Sequence, residues 1–187
     1  MIRYYPLTGV PKVNVGGYGP RTSGGVTKLH DAVDLGAPTG TPVIAMADGT
    51  ITYGTDVLGG NVAVLRLAAS PDAYYMAHLL RVQSGSRKVI AGEQIAECDT
   101  TGNAALVGIP HVHTQWWSNG TFAGPHPDPT ADLNAAQLLA APIGGSRYPY
   151  ADIALVTAGV LAAAGLGYLA WREIRSPGEL LPWRAYA

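Results

Sequence analysis

Four of the five histidines, with one aspartate, stand at spacings that could hold a metal ion and work on what it binds. His111 and His113 lie in the stretch Ile109-Pro110-His111-Val112-His113-Thr114-Gln115-Trp116-Trp117. Read as a β-strand, it turns His111, His113 and Gln115 to one face and Val112, Thr114 and Trp116 to the other. The two imidazoles then sit about 6.6 Å apart along one wall. By itself a His-x-His pair fits two partly buried structural histidines equally well. Upstream, His30 and Asp34 stand four residues apart and His78 closes an apolar run. In isolation the first two fit a simple hydrogen-bonded loop pair better than a ligand pair.

Taken together as ligands, His30, Asp34 and His113 offer zinc two neutral imidazoles and a carboxylate. The fourth position is left for water, the arrangement of a catalytic site. Zinc held so would lower the pKa of its water to about 7 and polarise a carbonyl, making amide hydrolysis feasible near neutral pH. A His-Glu-x-x-His helix is absent, so no glutamate is placed as general base. His78 and His111 are the candidates to take the proton and steady the oxyanion. There is no Gly-x-Ser-x-Gly elbow, and Gly36 to Pro42 lacks the ending of a phosphate loop. Cys98 is read as a buried small residue.

The elements that must position these groups are short strands. Residues 1 to 29 are rich in Gly, Pro and Tyr around a short Val13-Asn14-Val15 strand, and read as a lead-in that wraps the domain. His30 to Leu35 reads as a loop running into a strand. Val43 to Ala47, the pair Asp48-Gly49 and Thr50 to Tyr53 read as a hairpin. Strands follow over Asn61 to Leu67 and Ala73 to Leu79, with a turn between short strands over Val89 to Ala96. Asn119-Gly120 reads as a tight turn, and Pro129 to Leu139 as one short helix with Asp128 or Asp132 near its start. Close spacing with Gly and Pro punctuation predicts a mainly β, antiparallel core.

The chain of 187 residues, 48% hydrophobic, is long enough for one ordinary domain with something appended. A net charge of −1, without basic runs interleaved with aromatics, argues against a nucleic-acid partner. One cysteine excludes an internal disulfide framework and a multi-cysteine metal site. The expected organisation is a catalytic domain over 1–141, a linker over 142–150, a transmembrane helix over 151–171 and a polar tail over 172–187. Ile153 to Trp171 carries no charge, and as a helix would reach about 28 Å, close to the roughly 30 Å of a bilayer core. Tyr148, Tyr150, Tyr168 and Trp171 flank it as interfacial aromatics, and Gly159, Ala163 and Gly167 would permit helix–helix self-association.

In order along the chain stand Tyr18-Gly19-Pro20-Arg21, His30-x-x-x-Asp34-Leu35, Gly40-Thr41-Pro42-Val43-x-Ala45, Gly49, Tyr75-x-x-His78-Leu79, Gly92-x-x-Ile95, Thr101-Gly102 and His111-x-His113. This order resembles the lysostaphin/LytM-type zinc endopeptidases, which cut peptidoglycan peptides and share the duplicated hybrid motif fold. The resemblance runs from about Val13 to Trp117. It implies an antiparallel β-sheet groove, one zinc ion held by His30, Asp34 and His113, and His78 with His111 as the catalytic pair. Ala32 replaces the Gly common inside the first motif, and Gln115 stands where His-x-His-x-Glu is common.

The expectation is therefore a single-pass, membrane-anchored zinc endopeptidase acting on peptidoglycan. The alternative is a catalytically idle domain of the same fold, binding the cell wall or building a membrane or virus particle. Arg172, Arg175 and Arg184 after the apolar stretch, against Arg147 before it, place the tail in the cytoplasm and the catalytic domain toward the wall. Met1 to Pro6 shows no secretory leader. An anchor without a leader suggests a virion-associated lysin, with viral structural proteins as further partners.

Overall fold

The computed structural model describes residues 3–80, 82–123 and 126–143. The expected transmembrane stretch 151–171, the tail and most of the linker lie outside them. Among the described residues no helix is long and apolar enough to cross a membrane.

The strands in chain order are β1 (Asn14–Gly16), β2 (Gly19–Ser23), β3 (Val26–His30), β4 (Val33–Gly36), β5 (Pro42–Ile44) and β6 (Gly49–Asp56). Then come β7 (Gly60–Leu67), β8 (Ala73–Leu79), β9 (Ser86–Val89), β10 (Gln94–Glu97) and β11 (His111–Trp117). Two short helices, α1 (Ala104–Val107) and α2 (Thr130–Ala135), complete the described chain with a 3₁₀ turn at Ser118–Gly120. The described residues within 3–21 and 28–143 belong to one compact unit. Of the second unit only the β2–β3 tip, Thr22–Thr27, falls within the described residues. There Gly24 and Gly25, both at positive φ, make the two-residue turn, and the hydroxyls of Thr22 and Thr27 meet at 2.8 Å.

Seven strands pair antiparallel in the order β1, β4, β11, β8, β7, β6, β9. Period-2 alternation sorts their side chains. Val33 and Leu35 of β4, Val112 of β11, Tyr74 and Met76 of β8, and Ala63 and Leu65 of β7 point to one buried core, which includes Leu7, Val43, Ile95 and Leu133. Truncating a fully buried member such as Leu65 to Ala should cost about 2–5 kcal/mol. The opposite face of the same strands carries Asp34, His111, His113, Gln115 and Tyr75. It forms the floor of the site.

The hairpin expected over Val43 to Tyr53 does not form. Instead β5 pairs with β10, matching Val43 to Ala96 and Pro42 to Glu97, while β6 starts at Gly49 between β7 and β9. Gly49 is there for close approach and not for a turn: a Cβ would stand 2.2 Å from the Arg66 carbonyl oxygen. Between the two strands Ala45, Met46 and Ala47 are buried, so the chain crosses from one sheet to the other through the core. At Asn119-Gly120 the expected tight turn is present, with φ 54° and 63°. The expected helix over Pro129 to Leu139 is shorter, six residues, with the Thr130 amide donating to Asp128.

Candidate metal centre

Asp34 and His113 are direct cross-strand partners on β4 and β11, and His30 closes β3. The fold therefore brings together three groups spread over more than eighty residues. His113 Nδ1 lies 2.9 Å from Asp34 Oδ1, His30 Nε2 lies 3.2 Å from the same oxygen, and the two nitrogens are 3.2 Å apart. Three ligands on a tetrahedral zinc with bonds of about 2.1 Å would lie about 3.4 Å apart. The observed triangle is slightly tighter, and its donors are types that zinc takes. These residues fit the ion.

Each group is held by a partner behind it. His30 Nδ1 donates to the Gly17 carbonyl at 2.9 Å, which turns Nε2 toward the triangle. Arg21 Nη2 binds Asp34 Oδ2 at 2.9 Å, so one carboxylate oxygen is occupied and the other is left for the imidazoles. Gly16 makes room for this pair, since a Cβ would stand 2.2 Å from the guanidinium and 2.3 Å from the carboxylate. Burial alone would raise the pKa of Asp34. Hydrogen bonds and charge from His113 and His30 outweigh it and hold the carboxyl well below the usual carboxylate range.

His78 reaches the site by a break in the ladder. On strict alternation it would follow Tyr74 and Met76 into the core. Between β7 and β8 the register slips: Ala63 faces Met76 but Asn61 faces Leu79, so two steps on one strand meet three on the other. His78 takes the extra position at φ 64°, a conformation that non-glycine residues seldom adopt. The bulge returns Leu79 to the core and turns the imidazole toward the floor, with ring centroids 4.8 Å from His111 and 5.8 Å from His113. His78 Nδ1 donates to the Thr101 carbonyl at 2.8 Å and His111 Nδ1 to that of Ile109 at 2.7 Å. Both rings thus turn Nε2 away from the backbone. Burial, joined by the neighbouring imidazoles, pulls the His78 pKa down to about 4 against the opposing bond to Thr101.

Around this set lie Gln115, which the motif reading singled out, and Asp31 and His126, which it passed over. Gln115, on the same face as His113, donates through Nε2 to Asp31 Oδ1 at 2.7 Å and accepts from Trp117 Nε1 at 3.0 Å. His126, 6% exposed, stacks on Trp117 and sets Nε2 3.7 Å from Asp31 Oδ2. Alternation along β11 already put Gln115 beside the ligands. Nothing local signalled its partner.

A carboxylate and two imidazoles converging on an antiparallel floor, with two more imidazoles beside them, define a site of the metallopeptidase class. The chain belongs to peptidase family M23, whose model matches residues 28–125, a family of zinc-dependent peptidoglycan endopeptidases. It is 36% identical over 99 residues to the DD-carboxypeptidase/endopeptidase Mpg of Neisseria meningitidis, a match covering 52% of this chain and 22% of that protein. It is 31% identical over 119 residues to the peptidoglycan DD-endopeptidase ShyC of Vibrio cholerae, covering 62% of this chain and 25% of that one. The matched segment thus spans a quarter or less of these relatives. Among solved structures, the catalytic domain of lysostaphin from Staphylococcus simulans superposes with a TM-score of 0.56 at 29% identity, over 66% of this chain and 92% of that domain.

Proposed function

We propose that the protein is a zinc endopeptidase that hydrolyses peptide bonds of bacterial peptidoglycan, tethered to a membrane by residues 151–171. The observation that carries the reading is the triangle of His30 Nε2, Asp34 Oδ1 and His113 Nδ1, flanked by two imidazoles whose Nε2 atoms are free of backbone bonds.

In this reading His30, Asp34 and His113 hold the ion, with Arg21 fixing which carboxylate oxygen Asp34 presents. Bound zinc would supply a nucleophilic water with a pKa of about 7 and polarise the scissile carbonyl. His78 and His111 are the catalytic pair. One accepts a proton at Nε2 and the other, carrying a proton there, donates to the carbonyl oxygen as negative charge develops. Their carbonyl partners hold both rings by Nδ1 and leave both Nε2 atoms free for these roles. The peptide would lie across the open face of β4, β11 and β8.

Anchoring is supported by the uncharged stretch Ile153 to Trp171 with arginines beyond it, which also favours a wall-facing catalytic domain. Co-purification with particles or with cell membranes distinguishes a virion-borne lysin from a cellular enzyme. For the activity, full-length protein in mild detergent is incubated with purified sacculi, and soluble fragments are identified by mass spectrometry. Zinc-dependent release of fragments with new amino termini is expected. Sacculi left intact by zinc-loaded protein would overturn the reading.

A further inference from the structure

The β3 strand, which ends on His30, is not laddered to the seven-stranded sheet that carries Asp34 and His113. Among the described strands β3 pairs only with β2. The hydrogen bond to Gly17 orients the His30 ring, and the chain enters β4 at Val33 three residues on, so a side-chain contact from this short link across to β11 would fix it further. Asp31, the next residue, makes one: its Oδ1 accepts from Gln115 Nε2 at 2.7 Å. Gln115 lies two positions beyond His113 on the same strand face.

The amide of Gln115 has one satisfying orientation. Its oxygen accepts from the indole of Trp117, a donor only, and its nitrogen donates to a carboxylate, an acceptor only. Gln115 and Trp117 are each 8% exposed, so the bond between them is shielded from water, while the Asp31 carboxylate, 30% exposed, meets Gln115 at the edge of the site. A glutamate here would still accept from Trp117 but would set a second carboxylate against Asp31.

We propose that Gln115 and Asp31 form a positioning strap that fixes His30 against His113, and that position 115 must be an amide because position 31 is an acid. The inference rests on the zinc-site reading above. Gln115 is a positioning residue, since it acts through Asp31 and His30.

The test compares full-length wild type, Gln115→Glu and the double variant Asp31→Asn/Gln115→Glu for zinc affinity, turnover on sacculi and thermal unfolding. Gln115→Glu should weaken zinc binding about 10–100-fold, the usual effect of disturbing groups behind a metal ligand. The double variant exchanges the two roles: the amide now at position 31 donates to the carboxylate now at position 115, which still accepts from Trp117. Its zinc affinity should return to within about threefold of wild type. That rescue is what a merely space-filling role would not produce. Should Gln115→Glu fail to fold, the double variant decides alone: recovered affinity supports the strap, and a folded double variant with weak zinc binding overturns it. Gln115→Glu protein that binds zinc like wild type also overturns it. Wild type that binds no zinc overturns the reading beneath, and the strap with it.

Discussion

Arg21 and Asp34 divide the carboxylate between two tasks: Nη2 of the arginine holds Oδ2 at 2.9 Å, while Oδ1 faces His113 and His30 at 2.9 and 3.2 Å. A carboxylate gripped at one oxygen offers the other in a fixed direction, which suits a single coordination bond.

Ligand removal is the first prediction. Asp34→Ala and His113→Ala should each abolish tight zinc binding and activity together, read by metal content after dialysis and by fragment release. Arg21→Ala, which keeps all three donors, should weaken zinc about 10–100-fold without abolishing it. Full zinc content in the Asp34 variant would remove Asp34 from the ligand set.

Roles separate in the second. His78→Ala and His111→Ala should keep zinc but lower turnover by roughly 10²–10⁴, as expected for groups that move a proton or stabilise an oxyanion. Zinc lost from the His111 variant and kept in the His113 variant would exchange the two assignments.

The third concerns acidity. A proton acceptor works while neutral and is lost as pH falls through its pKa. Burial pulls that value for His78 down to about 4, below the 6.5 of a free imidazole. If His78 is the acceptor of the pair, the acid limb of activity should therefore lie below pH 6.5. The same shift acts on stability: between about 6.5 and 4 the unfolded chain binds a proton that the folded ring refuses. The metal-free protein should thus melt progressively lower as pH falls through that window, and His78→Gln should flatten the slope. A slope unchanged by that substitution would assign it to other groups.

Thiol chemistry gives the fourth. Cys98 is fully buried, its sulfur donates to the Ala37 carbonyl, and burial, aided by the charge of Asp99, pushes its pKa up to about 12. Iodoacetamide at pH 8 should label the folded protein at least about 10³-fold more slowly than the denatured one, since little thiolate forms. Rapid labelling of the native protein would contradict the packing around β10.

The sequence determined by itself whatever rests on local period and residue type. Alternation along β11 placed His111, His113 and Gln115 on one face, and the order of His30, Asp34, His78 and the His-x-His pair, through its resemblance to the zinc endopeptidases, pointed to a candidate metal site before any fold was drawn. The strand over Ala73 to Leu79 was legible in the same way. Only the tertiary structure decided where those strands pair. Val43 to Ala47 looks like half of a hairpin with Thr50 to Tyr53, yet Pro42–Ile44 pairs with Gln94–Glu97 and the buried Ala45, Met46 and Ala47 carry the chain through the core. Alternation would send His78 inward with Tyr74 and Met76, and a bulge against β7, a property of two strands and not of one, turns it out. Arg21 behind Asp34 and Asp31 against Gln115 are likewise long-range pairs. A side chain's period is written in its own segment, but its partner is chosen by whichever distant strand the core brings alongside.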